Sequence, residues 1–215
     1  MVDPIKKILL KHPSNAFLNQ RNINKQYLEL NYLAAPNFIN AISDYEIFVD
    51  LLKSFDIEIY YLPKDKSTSL DSIYTHDPCV VSNKGVVICN MGKKARQPEA
   101  DSMKKFFHSI EVPILGKIQS PGTLEGGDVV WINEKTIAVG EGYRTNKEGI
   151  EQLKLLLSDQ VETVITVSIP HWNGPDDCLH LMSNLSPIDH NLYLVYSRLL
   201  PVSFIKYLLD QNIEL

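Results

Sequence analysis

Between residues 78 and 90 the chain reads PCVVSNKGVVICN, two β-branched runs around Ser82-Asn83-Lys84-Gly85, a pattern that predicts a β-hairpin. Next comes PEADSMKKFFHS at 98–109, with Pro98 near its start and acids in its first turn, which predicts a helix. The extended VPILGKI follows. The same β-β-α-β order then recurs. DVVWINEKTIAVG reads as a hairpin turning at Asn133 to Lys135, TNKEGIEQLKLLL as a helix with Thr145 or Asn146 as N-cap, and TVITVSI as a strand. A third copy follows, with LHLMSNL as its first strand, SPIDHN as its turn, LYLVYS as its second strand and PVSFIKYLLDQN as its helix, stopping at Leu215 before a closing strand. Upstream, FINAISDYEIFVDLLKSFDIEIYYLP predicts a helix and a strand from an earlier copy.

Asp77, Asp128 and His180 open the three hairpins at intervals of 51 and 52 residues, a structural repeat with slight residue identity between copies. A repeat of mixed β and α units predicts an array or a closed ring, and a ring brings equivalent strand ends to one axis. No linker rich in Gly, Pro or Ser divides the chain, so residues 1–215 read as one domain. PKDKSTSLDS is the one stretch that reads as an exposed loop.

Composition narrows the partner. A formal net charge of -5, with no dense Lys/Arg block, argues against nucleic acid and for a small molecule. The start MVDPIKKILLKHPSN has no long apolar region or cleavage signal, and no apolar run has the length of a membrane span, so a cytoplasmic location is expected. Cys79, Cys89 and Cys178 are an odd number without CxxC spacing, which predicts reduced thiols rather than disulfides or a zinc ribbon.

Polar residues at the strand mouths are the candidates for chemistry. A histidine bonded to a carboxylate has its orientation fixed and its cationic form stabilised, so Glu125 and His180 are a candidate acid–base pair. Glu125 reads equally as a turn acid and His180 as a satisfied core histidine. Gly126 and Gly127 permit either positive φ or close backbone approach. Asp77 precedes Pro78 and also suits a turn. Arg96 and Arg144 follow the second strands of their hairpins; arginine grips carboxylates bidentately, although solvated surface is the plainer reading for each. Cys79 and Cys89 alternate with valines and read as buried small hydrophobes, whereas Cys178, two residues before His180, is a nucleophile candidate. His76, Asp77, Cys79, His171 and His180 lack any close metal-ligand spacing, and no glycine-rich phosphate loop is present, so neither a metal nor a nucleotide is expected.

YTHDPCVVSNKGVVICNMGKKARQPE, LEGGDVVWINEKTIAVGEGYRTN and DDCLHLMS occur in the order and spacing of the guanidine-modifying superfamily, which the chain resembles from about residue 70 to 190. That superfamily holds dimethylarginine dimethylaminohydrolases, arginine deiminases and amidinotransferases. The resemblance implies a pentein-type α/β propeller of five ββαβ modules, incomplete here at the C-terminus, acting without metal or organic cofactor.

Residue by residue, the resemblance implies that Glu125 orients His180, that His180 is the general acid/base, that Asp77 grips the guanidinium with Asp71 as a neighbouring substrate contact, and that Arg96 and Arg144 hold the α-carboxylate. In the implied mechanism a cysteine thiolate attacks the guanidinium carbon, an amine leaves after protonation, and water hydrolyses the covalent intermediate. The implied nucleophile belongs to the last module and matches none of Cys79, Cys89 and Cys178, so the 215-residue chain is expected to lack it. Met182 stands where deiminases and amidinotransferases carry a guanidinium-holding aspartate, which tilts the resemblance to the dimethylarginine dimethylaminohydrolases; His76 stands where relatives carry Arg or Glu. The expected function is hydrolysis of arginine or methylated arginine to citrulline and an amine, with a non-catalytic arginine-binding relative, half of a split enzyme, or an amidinotransferase as alternatives. The expected partner besides the substrate is a second copy or a complementing C-terminal chain.

Overall fold

The computed structural model describes residues 2–215. In chain order its elements are β1 (Lys7–Leu10), α1 (Pro13–Ala16), α2 (Gln20–Gln26), α3 (Phe38–Lys53), β2 (Glu58–Tyr61), β3 (Cys79–Ser82), β4 (Gly85–Ile88), α4 (Gln97–Ser109), β5 (Ile114–Lys117), β6 (Val129–Asn133), β7 (Thr136–Glu141), α5 (Lys147–Leu156), β8 (Thr163–Ser168), β9 (Leu185–Asp189), β10 (Leu192–Val195) and α6 (Val202–Asp210). They form two compact units. The smaller comprises Pro4–Thr75 and Lys93–Val112; the larger comprises His76–Gly92 and Pro113–Leu215 with residues 2 and 3.

In the smaller unit β1 and β2 pair in parallel, Lys7 opposite Glu58 through Leu10 opposite Tyr61. A parallel pair needs a crossover, and the chain between them supplies α3. The core of this unit gathers Ala16, Phe17, Ile23, Leu30 and Leu70. At four residues β1 carries too short an alternation to stand out in the sequence, and neither α1 nor α2 is predicted.

The larger unit carries the strands of the repeat. β3 and β4 form an antiparallel hairpin, and β5 joins β4 in parallel. β6, β7 and β8 repeat that order, with Thr136 opposite Thr163 through Glu141 opposite Ser168. β9 and β10 form the third hairpin, and Leu192 makes a single parallel bridge with Glu214, where β5 and β8 begin their pairing in the first two copies. The structure is mixed α/β.

The middle sheet has a core on each face. Successive strand residues point to opposite faces, so Val129, Ile137 and Val139 pack with Val80, Val87, Leu124, Ile150 and Leu153. Val130 and Ala138 turn the other way to pack with Leu181, Leu185, Tyr193, Phe204 and Leu208. α5 starts at Asn146, whose side chain accepts from the Gly149 N–H, which decides between the two expected N-caps.

The third hairpin corrects the sequence reading. Leu181–Ser183 form one 3-10 turn rather than part of a strand, and the strand instead begins at Leu185 and runs through Ser186 to Asp189. The cause is local. The His180 carbonyl accepts from the Ser183 N–H at 3.0 Å and the His180 N–H donates to Ser183 Oγ at 3.2 Å, while Leu181 is fully buried in the second core. Pro187 is tolerated inside β9 because that strand pairs only with β10.

Candidate active site

The larger unit brings Asp77, Glu125, Asp128, Arg144 and His180 together. Glu125 ends the segment before a 3-10 turn at Gly126–Asp128 and is fully buried. Its Oε2 lies 2.8 Å from His180 Nε2 and 3.6 Å from Arg144 Nη1. The other ring nitrogen of His180, Nδ1, lies 3.8 Å from Asp77 Oδ1. One imidazole is thus flanked by a carboxylate on each nitrogen. Glu125 and His180, 55 residues apart, are in buried contact.

The frame that holds this pair is built from hydrogen bonds and small residues. The Glu125 N–H donates to Thr145 Oγ1 at 3.1 Å, and the Thr145 hydroxyl donates to Asp128 Oδ2 at 2.6 Å. Asp128 Oδ1 accepts from the Leu181 N–H at 3.0 Å. Asp128 therefore ties the Glu125 turn, the start of the α5 segment and the His180 loop to one carboxylate. Asp77 is fixed from the same turn, its Oδ1 accepting from the Gly127 N–H at 3.1 Å and its carbonyl from the Gly126 N–H at 2.8 Å.

The two glycines are there for close approach. A Cβ on Gly126 would stand 2.3 Å from the His76 carbonyl oxygen, and one on Gly127 would stand 2.4 Å from His180 Nδ1 and 2.8 Å from Asp77 Oδ1. Neither residue adopts positive φ.

Electrostatics follow from burial and neighbours. Burial of His180 opposes its charge, but its contacts with Cys178 and Glu125 and the nearby Asp128 and Asp77 outweigh that, and its pKa is pushed up to about 11. Desolvation raises the Asp128 carboxyl to about 6 against the opposing pull of His180, the Thr145 hydroxyl and the Leu181 N–H. At neutral pH the ring is an imidazolium whose Nε2–H donates to Glu125.

Asp77, Glu125 and His180 place one donor atom each within 4.8 Å of one another, the only such group of three among the described residues. Two carboxylates and an imidazole are chemically suitable metal donors. In this arrangement His180 Nε2 is engaged by Glu125 at 2.8 Å.

Asp71 and Arg96 belong to the smaller unit, where each is engaged. Asp71 is buried and its Oδ2 lies 2.7 Å from Lys93 Nζ, which also donates to the Leu30 carbonyl at 3.0 Å. Arg96 makes a two-pronged contact with Glu99, Nε to Oε1 at 3.0 Å and Nη2 to Oε2 at 2.8 Å, and its Nη2 reaches the Tyr74 carbonyl at 3.0 Å. Arg96 and Arg144 are only 4% and 6% exposed, which overturns the solvated-surface reading of both. Cys79 and Cys89 are buried, as their alternation with valines predicts. Sequence reasoning missed the bridging role of Thr145 and the tie from Asp128 to Leu181. Both fall within the quoted motifs, but nothing in their spacing reveals a hydrogen bond across 17 or 53 residues.

Known proteins give this geometry a context. The chain is 25% identical over 164 residues to an N(G),N(G)-dimethylarginine dimethylaminohydrolase of Pseudomonas aeruginosa, covering 76% of this chain and 61% of that protein. Among solved structures, a cysteine-to-serine variant of the P. aeruginosa dimethylarginine dimethylaminohydrolase, complexed with citrulline, matches with a TM-score of 0.72 at 23% identity, covering 89% of this chain and 69% of the other. The N-terminal domain of ArgZ, an arginine dihydrolase from cyanobacteria solved with bound product, matches with a TM-score of 0.75 at 16% identity, covering 97% of this chain and 72% of the other. The chain thus spans about three fifths of the length of its curated P. aeruginosa relative. The family model described as arginine deiminase matches residues 68–212, and this chain belongs to that family of guanidine-modifying proteins.

Proposed function

We propose that the larger unit binds the guanidinium of arginine or a methylated arginine at Asp77, and that His180, oriented by Glu125, moves protons for a hydrolysis of the dimethylarginine dimethylaminohydrolase type. The observation that carries this reading is the 2.8 Å contact of Glu125 Oε2 with His180 Nε2, with Asp77 3.8 Å from the other nitrogen of the same ring. Two carboxylates and a desolvated setting favour a planar cation, and Arg144 supplies positive charge for the substrate's carboxylate. In this reading a thiolate attacks the guanidinium carbon, His180 gives its proton to the departing amine, and the neutral ring then takes a proton from the water that hydrolyses the adduct. Met182 packs against the second core in the place of the aspartate expected of a deiminase or amidinotransferase, which favours the dimethylarginine dimethylaminohydrolase type. The repeated ββαβ order supports a five-module propeller, of which this chain supplies the part described.

Calorimetry with arginine, methylated arginine and citrulline tests the cation site. Asp77→Asn and Glu125→Gln should each weaken arginine binding by about tenfold or more, since a charge-assisted hydrogen bond contributes roughly 1.5 to 3 kcal/mol. Citrulline formation by the 215-residue chain should stay far below enzyme-like rates. Arginine affinity unchanged in both variants would remove the basis of the reading.

A further inference from the structure

A thiol reaches the His180 ring from a position that the resemblance does not assign. Cys178 stands two residues before His180, so in an extended segment both side chains share a face. Its Sγ lies 3.6 Å from His180 Nδ1 and 4.0 Å from Nε2. Glu125 holds the ring through the 2.8 Å contact with Nε2. Thiol, imidazole and carboxylate therefore form a continuous chain in which the acid orients the ring and the ring faces the sulfur, the arrangement of an activated nucleophile. Cys178 is exposed, whereas Cys79 and Cys89 are buried and desolvation pushes both thiols up, Cys79 to about 12.

A separate feature points to the kind of reagent this thiol would meet. Asp77 Oδ1 faces the same Nδ1 at 3.8 Å and is held there by the Gly127 N–H at 3.1 Å. Carboxylates on two sides of the ring raise the local concentration of a cation near Sγ.

We propose that Cys178 is a nucleophilic thiol oriented by the His180–Glu125 pair, and that it reacts with cationic amidine electrophiles drawn to Asp77 and Glu125. Only the preference for a cation rests on the function proposed above; the reactivity of the thiol stands on its own geometry. With 2-chloroacetamidine as reagent, an Sγ electron pair forms an S–C bond to the methylene carbon and the C–Cl bond breaks. Chloride departs with its electron pair, the thiol proton passes to solvent, and nothing is oxidised or reduced.

The experiment compares 2-chloroacetamidine with neutral 2-chloroacetamide on the folded 215-residue chain, each rate divided by that reagent's rate with N-acetylcysteine and the adduct located by peptide mass mapping. Both reagents should label Cys178 and spare Cys79 and Cys89. Normalised labelling of Cys178 should exceed that of the free thiol, and His180→Asn should lower it about tenfold for both reagents, because that variant removes the group facing the sulfur. Asp77→Asn should lower only the rate of the cation, by about tenfold. Glu125→Gln, which keeps the shape of the side chain, serves as a second variant if His180→Asn fails to fold, and should lower both rates. Normalised rates at or below that of N-acetylcysteine, insensitive to His180 and Glu125, overturn the proposal. A fast thiol with no advantage for the cation overturns the cation preference, and with it the reading of Asp77 and Glu125, while leaving the nucleophile in place.

Discussion

Burial ordinarily favours the neutral form of an imidazole, so a His180 pKa pushed up to about 11 reflects how strongly Cys178, Glu125, Asp128 and Asp77 outweigh desolvation. The group is raised above its ordinary 6.5, so its contribution to stability is complete below pH 6.5 and is lost as pH rises through about 11. Asp128 is also raised, from 3.8 to about 6, so its contribution has the same sign in a lower window, complete below 3.8 and gone above about 6. Nitrogen NMR of the ring should show His180 doubly protonated throughout the neutral range, with Glu125→Gln bringing its titration down. A ring that loses its proton near 6.5 in the parent chain would contradict the geometry. Melting temperatures should agree in direction: the advantage of the parent over His180→Asn should shrink as pH is raised from neutral towards 11. The types of these residues were legible in the sequence and their roles open. Contact between Glu125 and His180, 55 residues apart, is decided by the fold.

At the scale of elements, the turn at Gly126–Asp128 is what positions the site, since its backbone N–H groups fix Asp77 and its last residue receives the Leu181 N–H. Gly127→Ala should cost roughly 1 to 3 kcal/mol through overpacking against His180 and Asp77, read as a lower urea midpoint at unchanged slope, together with weaker arginine binding. Gly142→Ala, where a Cβ would meet only Ile169 at 3.3 Å, is the tolerant comparison. Equal stability of the two variants would show that the space beside Gly127 is not tight. The hairpins at 78–90 and 128–140 and the helices α4, α5 and α6 were readable because apolar alternation, Gly/Asn turns and capping residues are local signals. The strand expected at 179–185 was not there because a local alternation of Leu179, Leu181 and Leu185 was overridden by the His180–Ser183 cap and by Leu181 anchoring in the core.

At the scale of the whole chain, the third hairpin leaves apolar surface in view, with Ile188 and Leu194 58% and 68% exposed, and Tyr196 and Val202 exposed beside them. Past the single bridge of Leu192 with Glu214, the far edge of β10 has no further strand partner among the described residues. An open strand edge with apolar side chains promotes association, so sedimentation should show concentration-dependent association that Leu194→Lys reduces. A strictly monomeric 24.4 kDa species with a cooperative melt at every concentration would refute this. No helix among the described residues is long and apolar enough to cross a membrane. The sequence by itself determined the repeat of strands and helices, the residue types at each strand mouth and the family, because periodicity, turn chemistry and motif order are written along the chain. Tertiary structure alone decided that Glu125 meets His180, that Thr145 and Asp128 brace them, that Arg96 and Asp71 are engaged by Glu99 and Lys93, and that Cys178 turns its sulfur to the ring. Those relations depend on distances between segments far apart in sequence, and such distances are set only when the two faces of the middle sheet bury their cores.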